Sequence, residues 1–189
     1  MAKVIINDEE FETTEGDLLI NVARQHGAHI GFACNGHGVC TTCECKVLEG
    51  AELLSPYSSV EDTWLPASRK EQGYRLACQA TIETDGKPKT ELKVISRVEI
   101  LKRQLLGPLG IGEKYVATDK PSGFLGFAFQ TFVDHVICAP AGVTSSIKRL
   151  GFYTFFFPWG PMSSFIKDTG KVFSKQLGTT QPTPPESGE

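Results

Sequence analysis

The chain has 189 residues, six cysteines, 10% aromatic residues and a net charge of -3. That length allows one domain or one domain with an appendage, and a weakly acidic chain is not expected to take nucleic acid as a partner. The charge is uneven: residues 1–100 carry 10 Lys+Arg, 16 Asp+Glu and 5 of the 18 aromatics, whereas residues 101–189 carry 9, 6 and 13. An acidic first half suits basic protein partners, and a basic, aromatic second half suits an apolar or anionic surface.

The opening segment MAKVIINDEE lacks a basic stretch followed by an apolar one, so a reducing, cytoplasmic compartment is the expectation. AKVIIN and FETTEG read as a hairpin turning at Asp8-Glu9-Glu10. Asp17 opens DLLINVARQHG, a helix with Leu18, Leu19, Val22 and Ala23 on one face and Gly27 as its stop. A cysteine-rich loop follows, then CKVLEG as a strand. Ser59 to Gln72 reads as an acidic-headed helix that Pro66 must enter or end. RLACQATI and TELKVI read as strands joined by an Asp85-Gly86 turn, and Val98 to Leu106 as a helix. These elements predict a small α+β domain over residues 1–97, then a helix and linker over 98–122.

Residues 123–178 form an amphipathic, aromatic-rich segment, and the proline-rich tail 179–189 is too polar to order itself. FLGFAFQTFVDHVI has a wide apolar face through Leu125, Phe129, Phe132 and Val136. Lys167, Lys171 and Lys175 recur at i, i+4 and i+8, away from an Ile166-Phe173-Leu177 edge. The longest uncharged run, Leu150 to Ile166, is broken by Pro158, Gly160 and Pro161, so no membrane-crossing helix is expected. The face could instead lie on a lipid surface, with Phe124, Phe127, Phe132, Phe155, Phe156, Phe157 and Trp159 as its contacts and Lys167, Lys171 and Lys175 at the headgroups. The competing reading is that these aromatics build a second core or cover the sheet. Residues 98–189 hold no phosphate loop, dinucleotide fingerprint or nucleophile–base pair, so an electron-transfer protein rather than an enzyme is expected.

The chemistry is concentrated in FACNGHGVCTTCECKVLEG, residues 32–50. Cys34, Cys40 and Cys43 are spaced C-x5-C-x2-C, and Cys78 follows in RLACQ. Three thiolates on one loop and a fourth from a distant strand can complete the four-sulfur ligation of an iron–sulfur cluster. Gly36 and Gly38 allow tight bends that bring peptide N–H groups towards the sulfurs, and Thr41 and Thr42 are small and offer hydroxyls. Zinc would pair two short knuckles where only Cys40/Cys43 has that form, and a thiol redox centre lacks its strand–helix context. Cys45 is read as a small residue packed beside the cluster, His37 as a loop-surface histidine, and Cys138 as an inert buried thiol.

The spacing, with GAHIGFACNGHGVCTTC and GYRLACQATI, resembles the adrenodoxin-like [2Fe-2S] ferredoxins over about residues 1–97. The resemblance implies a β-grasp fold, one [2Fe-2S] cluster on Cys34, Cys40, Cys43 and Cys78, and one-electron transfer at negative potential, with about -400 mV for plant-type centres as a reference. It further implies an acidic docking helix for a redox partner, here matched by Glu61, Asp62 and Glu71. The head with VISRVEILKR and a hydrophobic tail is also similar to the iron–sulfur proteins of the chlorosome envelope. That second resemblance implies a head on the cytoplasmic side, a tail in a lipid monolayer or larger photosynthetic complex, and exchange of electrons with quinones that regulates energy transfer. The alternative is a soluble ferredoxin donating to an oxygenase or reductase, its tail a protein-docking module.

Overall fold

The structure, a computed structural model, describes residues 2–84, 91–106, 123–156 and 162–177. Strands β1 (Ala2–Ile6) and β2 (Glu9–Thr13) form the expected hairpin. Its turn lies at Asn7 and Asp8 rather than at Asp8-Glu9-Glu10. Both have positive φ, 54° and 68°, which their short polar side chains tolerate well and which the twist of a hairpin favours. Strands β3 (Glu44–Glu49), β4 (Tyr74–Leu76) and β5 (Glu91–Ser96) complete one mixed sheet in the order β2-β1-β5-β3-β4. β1 and β5 run parallel at its centre, and the remaining pairs are antiparallel. RLACQATI is a strand only to Leu76; the chain then turns at the fourth cysteine, and Thr81 and Ile82 make isolated bridges to Leu18 and Leu54.

Helix α1 (Leu19–His26) crosses this sheet, burying Leu19, Ile20, Val22 and Ala23 against Val4, Ile6, Leu92 and Val94. Each large apolar side chain fully buried there contributes about 1.5–3 kcal/mol relative to exposure. Gly27 ends the helix at φ 67°, as read from sequence. Asp17 does not cap it: the carboxylate turns back to accept from Thr13 and Thr14. The Ser59–Gln72 helix is two short ones, α2 (Ser59–Trp64) and α3 (Ala67–Glu71), parted at Leu65-Pro66 because proline disfavours helical backbone in the residue before it.

Successive residues of β5 point to opposite faces. Leu92 and Val94 enter the main core, whereas Ile95 joins Tyr74, Ile100 and Phe127 on the reverse face. That second layer is built by α4 (Arg97–Leu106) and the start of α5 (Phe124–Leu150), a helix about 40 Å long by its 27 residues. Two further helices follow, α6 (Phe152–Phe156) and α7 (Met162–Gln176). A β-grasp head followed by a largely helical segment is the fold class expected. The Asp85-Gly86 turn, the linker from 107, Phe157, Trp159 and the tail 179–189 lie outside the described residues.

One expectation about the second half is corrected. α5 runs through Pro140 without stopping and is, among the described residues, a helix long and apolar enough to cross a membrane by length and composition. No uninterrupted apolar run announces it in the sequence, because Asp134 and Pro140 divide the segment. The helix lies along the head on a face that mixes polar residues with Phe127, Cys138, Gly142 and Val143. Asp134 and Ser146 are buried, while Leu125, Phe129, Phe132, Val136 and Ile137 remain 56–79% exposed.

Candidate functional site

The loop between α1 and β3 carries three of the four predicted thiols. Four residues in it or beside it have positive φ: Asn35 49°, Gly36 86°, Gly38 66° and Thr41 52°. The first three wrap the backbone around Cys34, so that the N–H groups of Gly38, Val39 and Cys40 all point at its sulfur. The closure is tight. A Cβ on Gly38 would sit 2.7 Å from the Val60 side chain, and one on Gly31 would sit 2.5 Å from the Thr42 carbonyl oxygen. Gly31 went unremarked in the sequence, since nothing local shows that Thr42 folds back on it.

All six cysteines are free thiols. The four of the predicted set form two pairs. Cys40 donates to Cys34, and the Cys43 thiol donates to the Cys78 sulfur at 3.3 Å. In both pairs the accepting sulfur is favoured as thiolate: Cys34 and Cys78 are drawn down by their partner thiols, while Cys40 and Cys43 are pushed up by donating and by burial. The pairs also feel each other, Cys34 raising Cys78 and Cys40 raising Cys43. Ligation requires thiolates, and four of them crowded in a buried site need cationic metal to be stable together. No three His, Cys, Asp or Glu among the described residues converge as a single ion requires. Two adjacent pairs are instead what two irons, each taking two sulfurs, demand, and the donor set therefore fits a diiron cluster better than zinc.

The residues around the thiols divide by role. Thr42 Oγ1 lies 3.0 Å from the Cys40 sulfur and accepts from the Ala33 N–H, so the expected threonine hydroxyl bond is present there. Thr41 departs from expectation, for its hydroxyl goes to His135 of α5 rather than to sulfur. Gln79 was not anticipated; its amide nitrogen donates to Gly36 O and lies 3.5 Å from the Cys78 sulfur. Cys45 is fully buried in β3, its thiol pushed far up by burial, and it lies 3.7 Å from the Arg75 carbonyl. His37 contributes its carbonyl, which accepts from Arg149 at 2.5 Å. Cys138, half-buried on α5 against the main core, is also pushed up by burial.

Glu61 is not a docking residue. It is fully buried: it closes a capping box with Ser58, receives both Nε and Nη2 of Arg75 at 2.8 and 3.1 Å, and accepts from Leu76 N–H. Asp62 is exposed beside Lys70, and Glu71 is exposed, so only these two of the acidic trio face outward. Among the surface contacts expected of the second half, Phe127 and Lys175 are likewise corrected. Phe127 is buried, stacked 5.2 Å from the Arg69 guanidinium, and Lys175 ties α7 to Glu9, the His26 carbonyl and the Phe11 ring. Phe132 and Phe156 are exposed, as are Lys167 and Lys171, whereas Phe124 and Phe155 are half-buried.

Ion pairs and apolar packing together join the two halves. Arg69, 4% exposed, donates to Asp134 at 2.6 Å, Glu44 at 3.3 Å and Thr131 at 3.0 Å, its plane lying over Tyr74 and Phe127. Arg24 donates from Nε to Asp168 of α7 at 2.8 Å and from Nη1 to Asn35 of the cysteine loop at 2.9 Å. Gly142 meets the Trp64 ring so closely that a Cβ would sit 2.5 Å from it.

Comparison with known proteins agrees with this geometry. The family model for the 2Fe-2S iron-sulfur cluster binding domain matches residues 4–83, a span that contains all four paired cysteines. The chain is similar to chlorosome protein J of Chlorobaculum tepidum, 34% identical over 147 residues, and to chlorosome protein I of the same organism, 39% identical over 147. Those matches cover 78% of this chain but 59% and 54% of the relatives, so the chain spans a little over half their length. It is also 35% identical to 2Fe-2S ferredoxin-5 of Aquifex aeolicus, over 46% of this chain and 93% of that protein. The cofactor is accordingly one [2Fe-2S] cluster, and the chain belongs to the [2Fe-2S] ferredoxin family.

Proposed function

We propose that this protein is a one-electron carrier whose tail fixes it to a lipid envelope of the chlorosome type, where it exchanges electrons with quinones or redox proteins to regulate energy transfer. In this reading Cys34, Cys40, Cys43 and Cys78 hold the cluster, which when bound supplies reversible one-electron chemistry at negative potential. The chain's own residues bury the thiols, direct N–H groups at Cys34 and let Gln79 and Thr42 share the sulfur charge. The relatives named as chlorosome proteins support the location, and residues 1–97 serve as head with 123–178 as the surface-seeking part.

The observation that carries the envelope reading is the apolar stripe that α5 leaves exposed. A helix covering a sheet normally buries its apolar stripe. Here Phe127, Asp134, His135 and Ser146 meet the head, but a second apolar stripe of Leu125, Phe129, Phe132 and Val136 points away, as do Phe152, Tyr153 and Phe156 beyond. An interfacial helix on a single leaflet inserts by only ~5–10 Å, which suits a face flanked by Lys167 and Lys171. The test is flotation of cluster-loaded protein with anionic liposomes, beside a form ending at Leu106. Flotation of the longer form alone supports the envelope reading. If neither floats, the apolar face serves a protein partner and the reading falls.

A further inference from the structure

Among the described residues, the tail reaches the cysteine loop by two direct polar contacts and by a third relayed through Arg24. His135 of α5 bonds the hydroxyl of Thr41, Arg149 of the same helix donates to the His37 carbonyl at 2.5 Å, and Asp168 of α7 fixes Arg24, which reaches Asn35. These three loop residues lie beside or between Cys34, Cys40 and Cys43. Two of them, Asn35 and Thr41, hold left-handed backbone, which the β-branched Thr41 adopts only where its surroundings impose it. Thr41 is 1% exposed, and Nδ1 of His135 donates to the Thr131 carbonyl at 2.7 Å, leaving Nε2 to accept from the threonine hydroxyl. A histidine oriented in this way is built to hold something in place.

We infer that α5 is part of the redox site: His135 and Arg149 are positioning residues for the loop, and the Arg149 charge beside it favours the reduced cluster. The inference rests on the reading that Cys34, Cys40, Cys43 and Cys78 are the ligands. Reduction adds one negative charge to the cluster and breaks no bond in the protein. A guanidinium held against the loop stabilises the more negative state more than the less negative one, which raises the midpoint potential. Arg149 is exposed, so the effect is moderate and weakens as salt screens it. The bond from His135 acts differently. It holds the peptide bearing Cys40 and Cys43 at a backbone angle that Thr41 would otherwise leave, and so governs the geometry of the thiolates.

The experiment is redox titration of the cluster-loaded full chain and of Arg149→Met, Arg149→Lys and His135→Leu, followed by visible circular dichroism and electron paramagnetic resonance. Arg149→Met is expected to lower the reduced-to-oxidised ratio at fixed ambient potential by about threefold, ~30 mV for a one-electron couple at 59 mV per tenfold. Arg149→Lys is expected to restore most of it, and the shift should shrink at high salt. His135→Leu is expected to alter the cluster's dichroism and resonance anisotropy. A residue that merely helped α5 dock would change melting temperature and leave potential and spectra alone. Parental potential in Arg149→Met together with parental spectra in His135→Leu overturns the inference. Cys78→Ser tests the ligand reading separately: retention of a native cluster there removes that foundation whatever the titrations show.

Discussion

Replacing Asp134 by alanine removes a carboxylate that accepts from Arg69 at 2.6 Å and from Gln130 at 2.8 Å, between side chains 4% and 11% exposed. Removing one partner of a buried ion pair costs about 3–5 kcal/mol because the other charge is left uncompensated. Arg69 keeps Glu44 and Thr131, so the low end applies, about 3 kcal/mol, or roughly two orders of magnitude in an equilibrium. That equilibrium is the docking of α5 on the head, since Asp134 is the residue of α5 that Arg69 grips most closely. Hydrogen–deuterium exchange on the cluster-loaded chain reads it directly. Amides of α5 near Thr131–Cys138 are expected to exchange about a hundredfold faster in Asp134→Ala, while those of β1 and β5 stay protected. The double variant Arg69→Met/Asp134→Leu is expected to recover most of the loss, because a packed apolar pair replaces a desolvated ionic one and Glu44 retains Arg97. Equal α5 exchange in parent and Asp134→Ala would refute the argument that this pair holds the two halves together.

Other expectations follow from the same geometry. Cys78→Ser is expected to lose or greatly weaken the cluster, seen as loss of visible absorption and iron, whereas Cys45→Ser keeps the spectrum and costs about 1–3 kcal/mol in denaturation by urea for burying a hydroxyl. Glu61→Ala is expected to destabilise the head by about 3 kcal/mol, because Arg75 loses its buried carboxylate and keeps only the Ser55 and Pro56 carbonyls; thermal unfolding checks it. Gly142→Ala is expected to push α5 away from Trp64 and shift that residue's fluorescence to the red, measured in a Trp159→Phe background. An unshifted spectrum would show that the helix does not rest on that ring.

Much of the head is legible because its rules are local. The Cys34, Cys40 and Cys43 spacing and its glycines announce a loop folded around sulfur, Gly27 announces the end of α1, and alternation marks β1 and β5. Even the error at Glu61 had a local warning, for Ser58-Ser59-Val60-Glu61 is a capping box, a signature that places the glutamate side chain back on its own helix. What escaped was long-range. Arg69 and Asp134 are 65 positions apart, Arg149 and His37 are 112, and Arg24 and Asp168 are 144, so no window of sequence contains either member's reason for being there.

By itself, then, the sequence determined the chemistry: thiol number and spacing choose a cluster, and periodicity creates a second half with an apolar and a polar face. Periodicity states that a helix has two faces, but only the tertiary structure decides which one the head covers. In α5 it is the face bearing Phe127, Thr131, Asp134 and His135, because Arg69 and Thr41 present buried hydrogen-bonding groups that these polar residues help to satisfy. The stripe of Leu125, Phe129, Phe132 and Val136 is left outward for the same reason.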